Sequence, residues 1–196
     1  MNRGHRKIAL MGPDLSWENP RYAGYRKALK NAGVPFQENL ILENPLSDSS
    51  SAYQTCTEFI HSSGTLQEML LHTDAILCTT DLQAYGVLDC LKKNHVRVPE
   101  DISVMGVDNL PESARHFHSL TSMEFSGQEI GEKALLLLRE VLEGKYPGGI
   151  TMSYHGKIFE RDSVCSRLSS AETGDFPPDS HEKDSFFGRQ ADKGAG

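Results

Sequence analysis

Apolar residues along this chain come in short runs separated by polar, turn-forming stretches, and the runs alternate between strand-like and helix-like spacing. Lys7-Ile-Ala-Leu-Met-Gly-Pro13 is an apolar run closed by Gly12 and Pro13, the pattern of a buried strand ending in a loop. Asn19 before Pro20 predicts an N-cap followed by Pro at the first helical position. The helix so begun continues through Ala28, Leu29 and Ala32 and stops at Gly33. Asn39 to Glu43 is a second strand candidate. A Ser-rich turn from Ser47 to Ser51 follows, with helices expected around Ala52 to His61 and near Leu66 to Leu71. Ala75 to Thr79 reads as a third strand, and Asp81 is placed to cap a helix whose inner face is Ala84, Val87, Leu88 and Leu91. Val98 to Asp101 is a turn before a fourth strand, Ile102 to Val107.

Four strands alternating with helices predict an α/β fold, a parallel sheet flanked by helices on both faces. Ligands in such sheets sit beyond the carboxyl ends of the strands. Here those ends carry Pro13-Asp14, Thr79-Thr80-Asp81 and Asp108-Asn109. The pattern changes after Leu120. Thr121 to Phe125 is a short strand-like segment, and Ser126 with Glu129 forms an S-x-x-E capping box. The helix that follows carries an apolar stripe of Ile130, Ala134, Leu137, Leu138 and Val141, widened by Leu135 and Leu142, and ends at Gly144. Ile150 to Glu160 is a final strand region. Residues 166–196 are rich in Ser, Asp, Gly, Pro and Lys and read as a disordered tail, with Phe186-Phe187 a stray apolar pair within it.

Length and charge narrow the function classes. A chain of 196 residues suits one or two domains. A net charge of −7 argues against a nucleic-acid surface spread over the whole body, and the basic cluster Arg3, Arg6 and Lys7 reads as a solvated terminus. Cys56, Cys78, Cys90 and Cys165 stand singly, without a C-x-x-C pair, which fits a reduced, cytoplasmic setting. No apolar run approaches the ~18 residues of a membrane span, and no signal-peptide stretch precedes the first strand. G-x-S-x-G, P-loop and G-x-G-x-x-G patterns are absent, so no enzyme activity and no cofactor are expected. His116-x-His118 lacks a third ligand at metal spacing and reads as a solvated loop.

Several segments resemble one family. They are Gly4 to Ala9 leading into the first strand, Arg21-Tyr22-Ala23-Gly24-Tyr25, and Thr80-Asp81-Leu82-Gln83-Ala84-Tyr85-Gly86. Val98 to Asn109 follows, then Leu120-Thr121-Ser122 with Gly131, and Glu160-Arg161-Asp162-Ser163. In this order they resemble the effector-binding half of LacI/GalR-type transcriptional regulators, which is similar to periplasmic sugar-binding proteins. The resemblance runs from about Gly4 to Ser163 and implies one lobe of a type I, two-lobed, periplasmic-binding-protein-like domain. Residues 1–165 would then be a partial effector-binding domain. About 4–119 and 150–163 would form the second lobe, and about 120–144 would cross into an absent first lobe. The helix-turn-helix head would be absent too.

The resemblance also implies site roles. Arg21 matches an effector-contacting arginine whose planar fork suits adjacent ligand oxygens. Asp108 matches a carboxylate that accepts from effector hydroxyl or amino groups, with Asn109 beside it. Thr80 stands where sugar-binding members carry asparagine. Asp81 either contacts effector or only caps its helix, and Asp14 lies on the neighbouring loop. Asn44-Pro45-Leu46-Ser47 lacks the aromatic some relatives stack on their ligand. Trp17 either supplies that wall or serves as a core or lid residue. The expected ligand is a small polar effector (sugar, polyol or nucleobase-like), with DNA reached only through the missing head, a homodimer at full length, and no membrane. A solute-binding protein of related fold, or a small Rossmann-like enzyme, is the alternative.

Three outcomes are expected. The isolated chain should self-associate through its amphipathic helix, and a monodisperse monomer in light scattering without dye-accessible apolar surface would contradict this. It should give no sequence-specific gel shift. In-frame DNA upstream of Met1 should encode a helix-turn-helix on the regulator reading and a signal peptide on the solute-binding reading.

Overall fold

A computed structural model describes residues 3–168 apart from 17, 116 and 118. The expectations for Trp17, for His116-x-His118 and for the tail beyond residue 168, Phe186-Phe187 included, therefore lie outside the described residues. The elements run β1 (Ile8–Gly12), α1 (Pro20–Asn31), β2 (Ile41–Glu43), α2 (Ser49–Ser62), α3 (Leu66–His72) and β3 (Ala75–Cys78). They continue α4 (Asp81–Lys93), β4 (Ser103–Val107), β5 (Thr121–Glu124), α5 (Gly127–Leu142) and β6 (Lys157–Phe159). The sheet order is β2-β1-β3-β4-β5-β6. β1 pairs parallel with both β2 and β3, setting Leu10 opposite Ile41 and Leu77, and β4 pairs parallel with β3 and β5.

Alternation along the strands divides the core in two. Ala9 and Met11 of β1, Ile76 and Cys78 of β3 and Val104 of β4 face one side, against Ala52, Cys56, Phe59 and Ile60 of α2 and Ala84, Val87, Leu88 and Leu91 of α4. Ile8, Leu10, Ile41 and Leu77 face the other, against Tyr22, Tyr25 and Leu29 of α1. Helices thus cover both faces, as the pattern predicts. Val87, Leu88 and Leu91 are each wholly removed from water, and each such burial contributes about 1.5–3 kcal/mol. Packing on this scale exceeds the ~1 kcal/mol of a cap, so burial holds α4 more than capping does. The two helices on that side approach so closely that a Cβ at Gly86 would stand 2.0 Å from the Ser49 carbonyl oxygen.

Polar groups inside the sheet find partners. The Tyr25 hydroxyl donates to the Ile8 carbonyl at 2.7 Å, and burial pushes its pKa up to about 12. The His5 ring lies 2.9 Å from the Ser103 hydroxyl, and burial lowers its pKa, favouring the neutral ring. The Ser163 hydroxyl accepts from the Thr121 amide and donates to the Val104 carbonyl, stitching the last described segment between β4 and β5.

Local departures from expectation have local causes. Asn19 caps α1 as predicted, accepting from the Arg21 amide. Asp48, however, caps a helix that already includes Ser49 to Ser51, so the Ser-rich turn is shorter than its composition suggested. The second strand is shortened because Glu38–Leu40 winds into a 3-10 turn. The last strand region contracts from Ile150–Glu160 to Lys157–Phe159.

The chain divides into two compact units, one holding the chain through Glu124 and again from Ile158, the other holding Phe125–Lys157. Thr121, Ser122 and Met123 pair with Met105, Gly106 and Val107 within the first unit's sheet. In the second unit Ser126 caps α5, accepting from the Glu129 amide, while the Glu129 carboxylate accepts from the Tyr154 hydroxyl. No residue of α5 is buried, and Leu135 and Leu142 are 69% and 80% exposed.

Replacing Gly86 by Ala should destabilise the first unit by about 1–3 kcal/mol or more, since backbone rather than a movable side chain meets the added carbon. Urea unfolding checks this, and an unchanged midpoint would refute the close approach of α2 and α4.

Candidate functional site at the strand ends

From β1 the chain passes outward to β2 on one side, then returns through α2 and α3 to β3 on the other, so it reverses its direction of travel across the sheet, with the switch between β1 and β3. Such a switch point opens a crevice beyond the carboxyl ends of the strands. The loops there begin at Pro13, Asn44, Thr79 and Asp108.

Beneath the crevice lies a chain of buried polar groups. The Thr79 hydroxyl donates to Gln83 Oε1 at 2.8 Å, and Gln83 Nε2 donates to Asn44 Oδ1 at 3.1 Å. Asn44 Nδ2 donates to the hydroxyls of Ser51 and Thr55, and Asn44 Oδ1 also accepts from the Ser47 amide. Every link has one donor and one acceptor, so α2, α4 and the ends of β2 and β3 are tied together without an orphaned group. Leu46, at the tip of the loop so fixed, is 74% exposed.

A second group of buried polar contacts centres on Asp81, which is 0% exposed. Its Oδ2 accepts from the Leu110 amide at 2.9 Å and the Ser113 hydroxyl at 2.5 Å, and its Oδ1 accepts from the Ser122 hydroxyl at 2.6 Å. Ser113 in turn receives the hydroxyl of Tyr85 at 2.7 Å. Gly106 is required beside it, because a Cβ there would stand 2.2 Å from Asp81 Oδ1.

Two sequence expectations are corrected here. Asp81 is not the cap of α4: that role belongs to Thr80, whose hydroxyl accepts from the Gln83 amide at 3.3 Å. Nor does the Asp81 carboxylate line the crevice, because it is turned inward onto three donors. Asn109 is engaged as well, its Oδ1 accepting from Arg161 at 2.5 Å and its Nδ2 reaching Glu124 at 3.5 Å.

Arg21, Asp14 and Asp108 remain exposed, and Thr80 is half-buried with its hydroxyl proton still to offer. Asp14 accepts from the Ser16 amide at 3.1 Å. Asp108 has φ of +115° and Asn109 φ of +50°, a left-handed pair unusual outside glycine. Burial and the nearby Asp81 charge raise the Asp108 pKa, and the Arg21 charge opposes them. Arg21 and Asp108, from opposite sides of the switch point, therefore share one electrostatic environment. The arrangement offers a fork of donors, an acceptor and a hydroxyl around a polar ligand.

Sequence reasoning missed Ser113, Ser122 and the Asn44–Gln83–Thr79 chain. Ser122 lies in the Leu120-Thr121-Ser122 motif, Gln83 in the Thr80-to-Gly86 motif, Thr79 at a strand end and Asn44 in the stretch after the second strand, but spacing assigned none of them a buried partner, and Ser113 carried no signal. A concave surface lined by Lys92, His95, Arg97 and Glu100 lies at the opposite end of β4, where Asp101 holds the Arg97 guanidinium. Among the described residues no group of three or more metal-ligating side chains converges, and no helix is long and apolar enough to cross a membrane.

A family model described as a periplasmic binding protein-like domain matches residues 1–164. An HTH-type transcriptional repressor PurR from Vibrio atlanticus is 30% identical over 167 residues, 84% of this chain and 47% of that protein. The PurR repressor of Pasteurella multocida is 29% identical, over 86% of this chain and 48% of its own length. The chain therefore spans about half the length of the curated relatives it matches. Among solved structures, the Escherichia coli transcriptional repressor AscG superposes with a TM-score of 0.66 at 26% identity, covering 84% of this chain and 58% of that one. A LacI-family sugar-binding transcriptional regulator from Escherichia coli, complexed with phosphate, gives 0.69 at 26% identity, covering 84% and 57%.

The raised pKa of Asp108 has a sign that can be checked. Between the ordinary aspartate value of about 3.8 and its raised value the folded state holds the proton better, so stability falls as pH rises through that window. Asp108→Asn should melt higher than wild type at pH 7, and the gain should vanish below the ordinary value. A variant less stable at pH 7 would contradict the assignment.

Proposed function

Because the chain belongs to the periplasmic binding protein-like domain family, we propose that it binds a small polar effector at its strand ends as part of a LacI/GalR-type transcription regulator. The observation that carries the reading is that Arg21 and Asp108 stand exposed on loops at the carboxyl ends of the strands, above buried polar contacts that fix those loops. The guanidinium presents parallel N–H donors to adjacent ligand oxygens. The carboxylate accepts from hydroxyl or amino groups, and Thr80 adds a hydroxyl. Asp14 stands on the loop after β1, where it can accept another bond. This donor and acceptor set fits a sugar, a polyol or a nucleobase-like molecule.

Similarity to regulators, two of them named as PurR repressors and one as a sugar-binding regulator, supports a sensory role over a transport role or an enzymatic one. The relatives are about twice as long as this chain, so the DNA contacts, the second wall of the cleft and a homodimeric assembly belong to the proposal for the whole regulator. Within it, effector binding shifts the equilibrium between two arrangements of the lobes by its difference in affinity for them. Such a regulator works in the cytoplasm.

A thermal-shift screen of the full-length regulator with sugars, polyols, nucleobases and inorganic phosphate should find a stabilising ligand. Arg21→Ala and Asp108→Ala should each weaken its binding about 10–100-fold, the loss expected for one or two charge-assisted hydrogen bonds. Unchanged affinity in both variants would reject the site.

A further inference from the structure

We infer that Asp81 is a positioning residue for effector binding: without reaching the crevice, its buried carboxylate fixes where Asp108 and the Asn109–Leu110 backbone stand at the crevice mouth. The inference rests on the functional reading of the strand ends and adds to it a residue that no ligand touches.

Three successive amide groups leave β4, and each has a named destination. The Asp108 amide donates to the Met123 carbonyl at 2.8 Å, the Asn109 amide to the Ser122 hydroxyl at 3.0 Å, and the Leu110 amide to Asp81 Oδ2 at 2.9 Å. Ser122 accepts from Asn109 because its own proton is directed to Asp81 Oδ1. Two of the three amides therefore depend on Asp81, one directly and one through Ser122. These bonds hold Asp108 and Asn109 at positive φ, where non-glycine residues persist only when surrounding structure imposes the conformation. Gly106 leaves room for the carboxylate to stand against β4. Ser113 also donates to Asp81, but its bond leads towards Tyr85 and away from Asn109. Ser113 and Ser122 thus make equivalent bonds to one carboxylate with different consequences for the crevice.

The test uses the 196-residue chain with Ser122→Ala, Ser113→Ala and Asp81→Asn. Amide exchange by NMR should be about 10-fold faster at Asn109 in Ser122→Ala, the effect of one lost buried hydrogen bond, and unchanged there in Ser113→Ala. The Asp108 carboxyl, followed by carbon NMR, should titrate above the ordinary aspartate range in wild type and move back towards it in Asp81→Asn. In the full-length regulator with D-ribose as probe, Ser122→Ala should bind about 10-fold more weakly and Ser113→Ala should bind as wild type, although the two melt alike. Equal protection of Asn109 in both serine variants, or an Asp108 titration unmoved by Asp81→Asn, would overturn the inference. If Asp81→Asn does not fold, the two serine variants still decide it. Failure of wild type to bind ribose would count against the functional reading alone, since exchange and titration need no ligand.

Discussion

Asp81 places a carboxylate where water does not reach, in a fold whose ligand loops lie directly above it. A buried charge without partners costs several kcal/mol. Three short bonds, from the Leu110 amide and the Ser113 and Ser122 hydroxyls, offset that cost, and bonds to charged groups contribute about 1.5–3 kcal/mol each. The donors come from the 3-10 turn after β4 and from β5, whereas Asp81 itself opens α4. The carboxylate thereby joins three segments distant in sequence, and the left-handed pair Asp108–Asn109 is suspended between them. Arg161 adds an outer brace, donating to Asn109 Oδ1 and to the Leu120 carbonyl.

The Asn44–Gln83–Thr79 chain does comparable work on the other side of the switch point with neutral groups. Gln83 lies two residues after Asp81, so the first turn of α4 supplies the centre of both groups. Rigid loops over satisfied buried polar groups are a way to hold an empty ligand site ready. The raised pKa of Asp108 is the corresponding cost of holding a partly desolvated carboxylate near the Asp81 charge, offset in part by the Arg21 charge.

Much of the fold was legible because it rests on periodicity. The strand alternation of Ile8 to Met11, the inner face of α4 and the Asn19 cap all follow from spacing that one sequence displays. The crevice was legible as a place, since strand ends in a parallel sheet are where its loops gather. The roles of individual residues there were less so. Asp81 and Thr80 are adjacent polar residues at a helix start, and either could cap; which one turns inward depends on Ser113 and Ser122, 32 and 41 positions away. The placement of β5 was not legible for a similar reason, as its pattern does not disclose that its partner is β4. Long-range hydrogen bonds leave no local spacing.

The central claim is that Asp81 and Ser122 act as one unit holding the strand-end loops. A double-mutant cycle of Asp81→Asn and Ser122→Ala, measured by urea unfolding of the chain, tests it most directly. Coupling between the two substitutions of about 0.5–3 kcal/mol is the predicted result, as for residues sharing one buried hydrogen-bond network. Effects that add to within about 0.3–0.5 kcal/mol, the behaviour of independent sites, would contradict it.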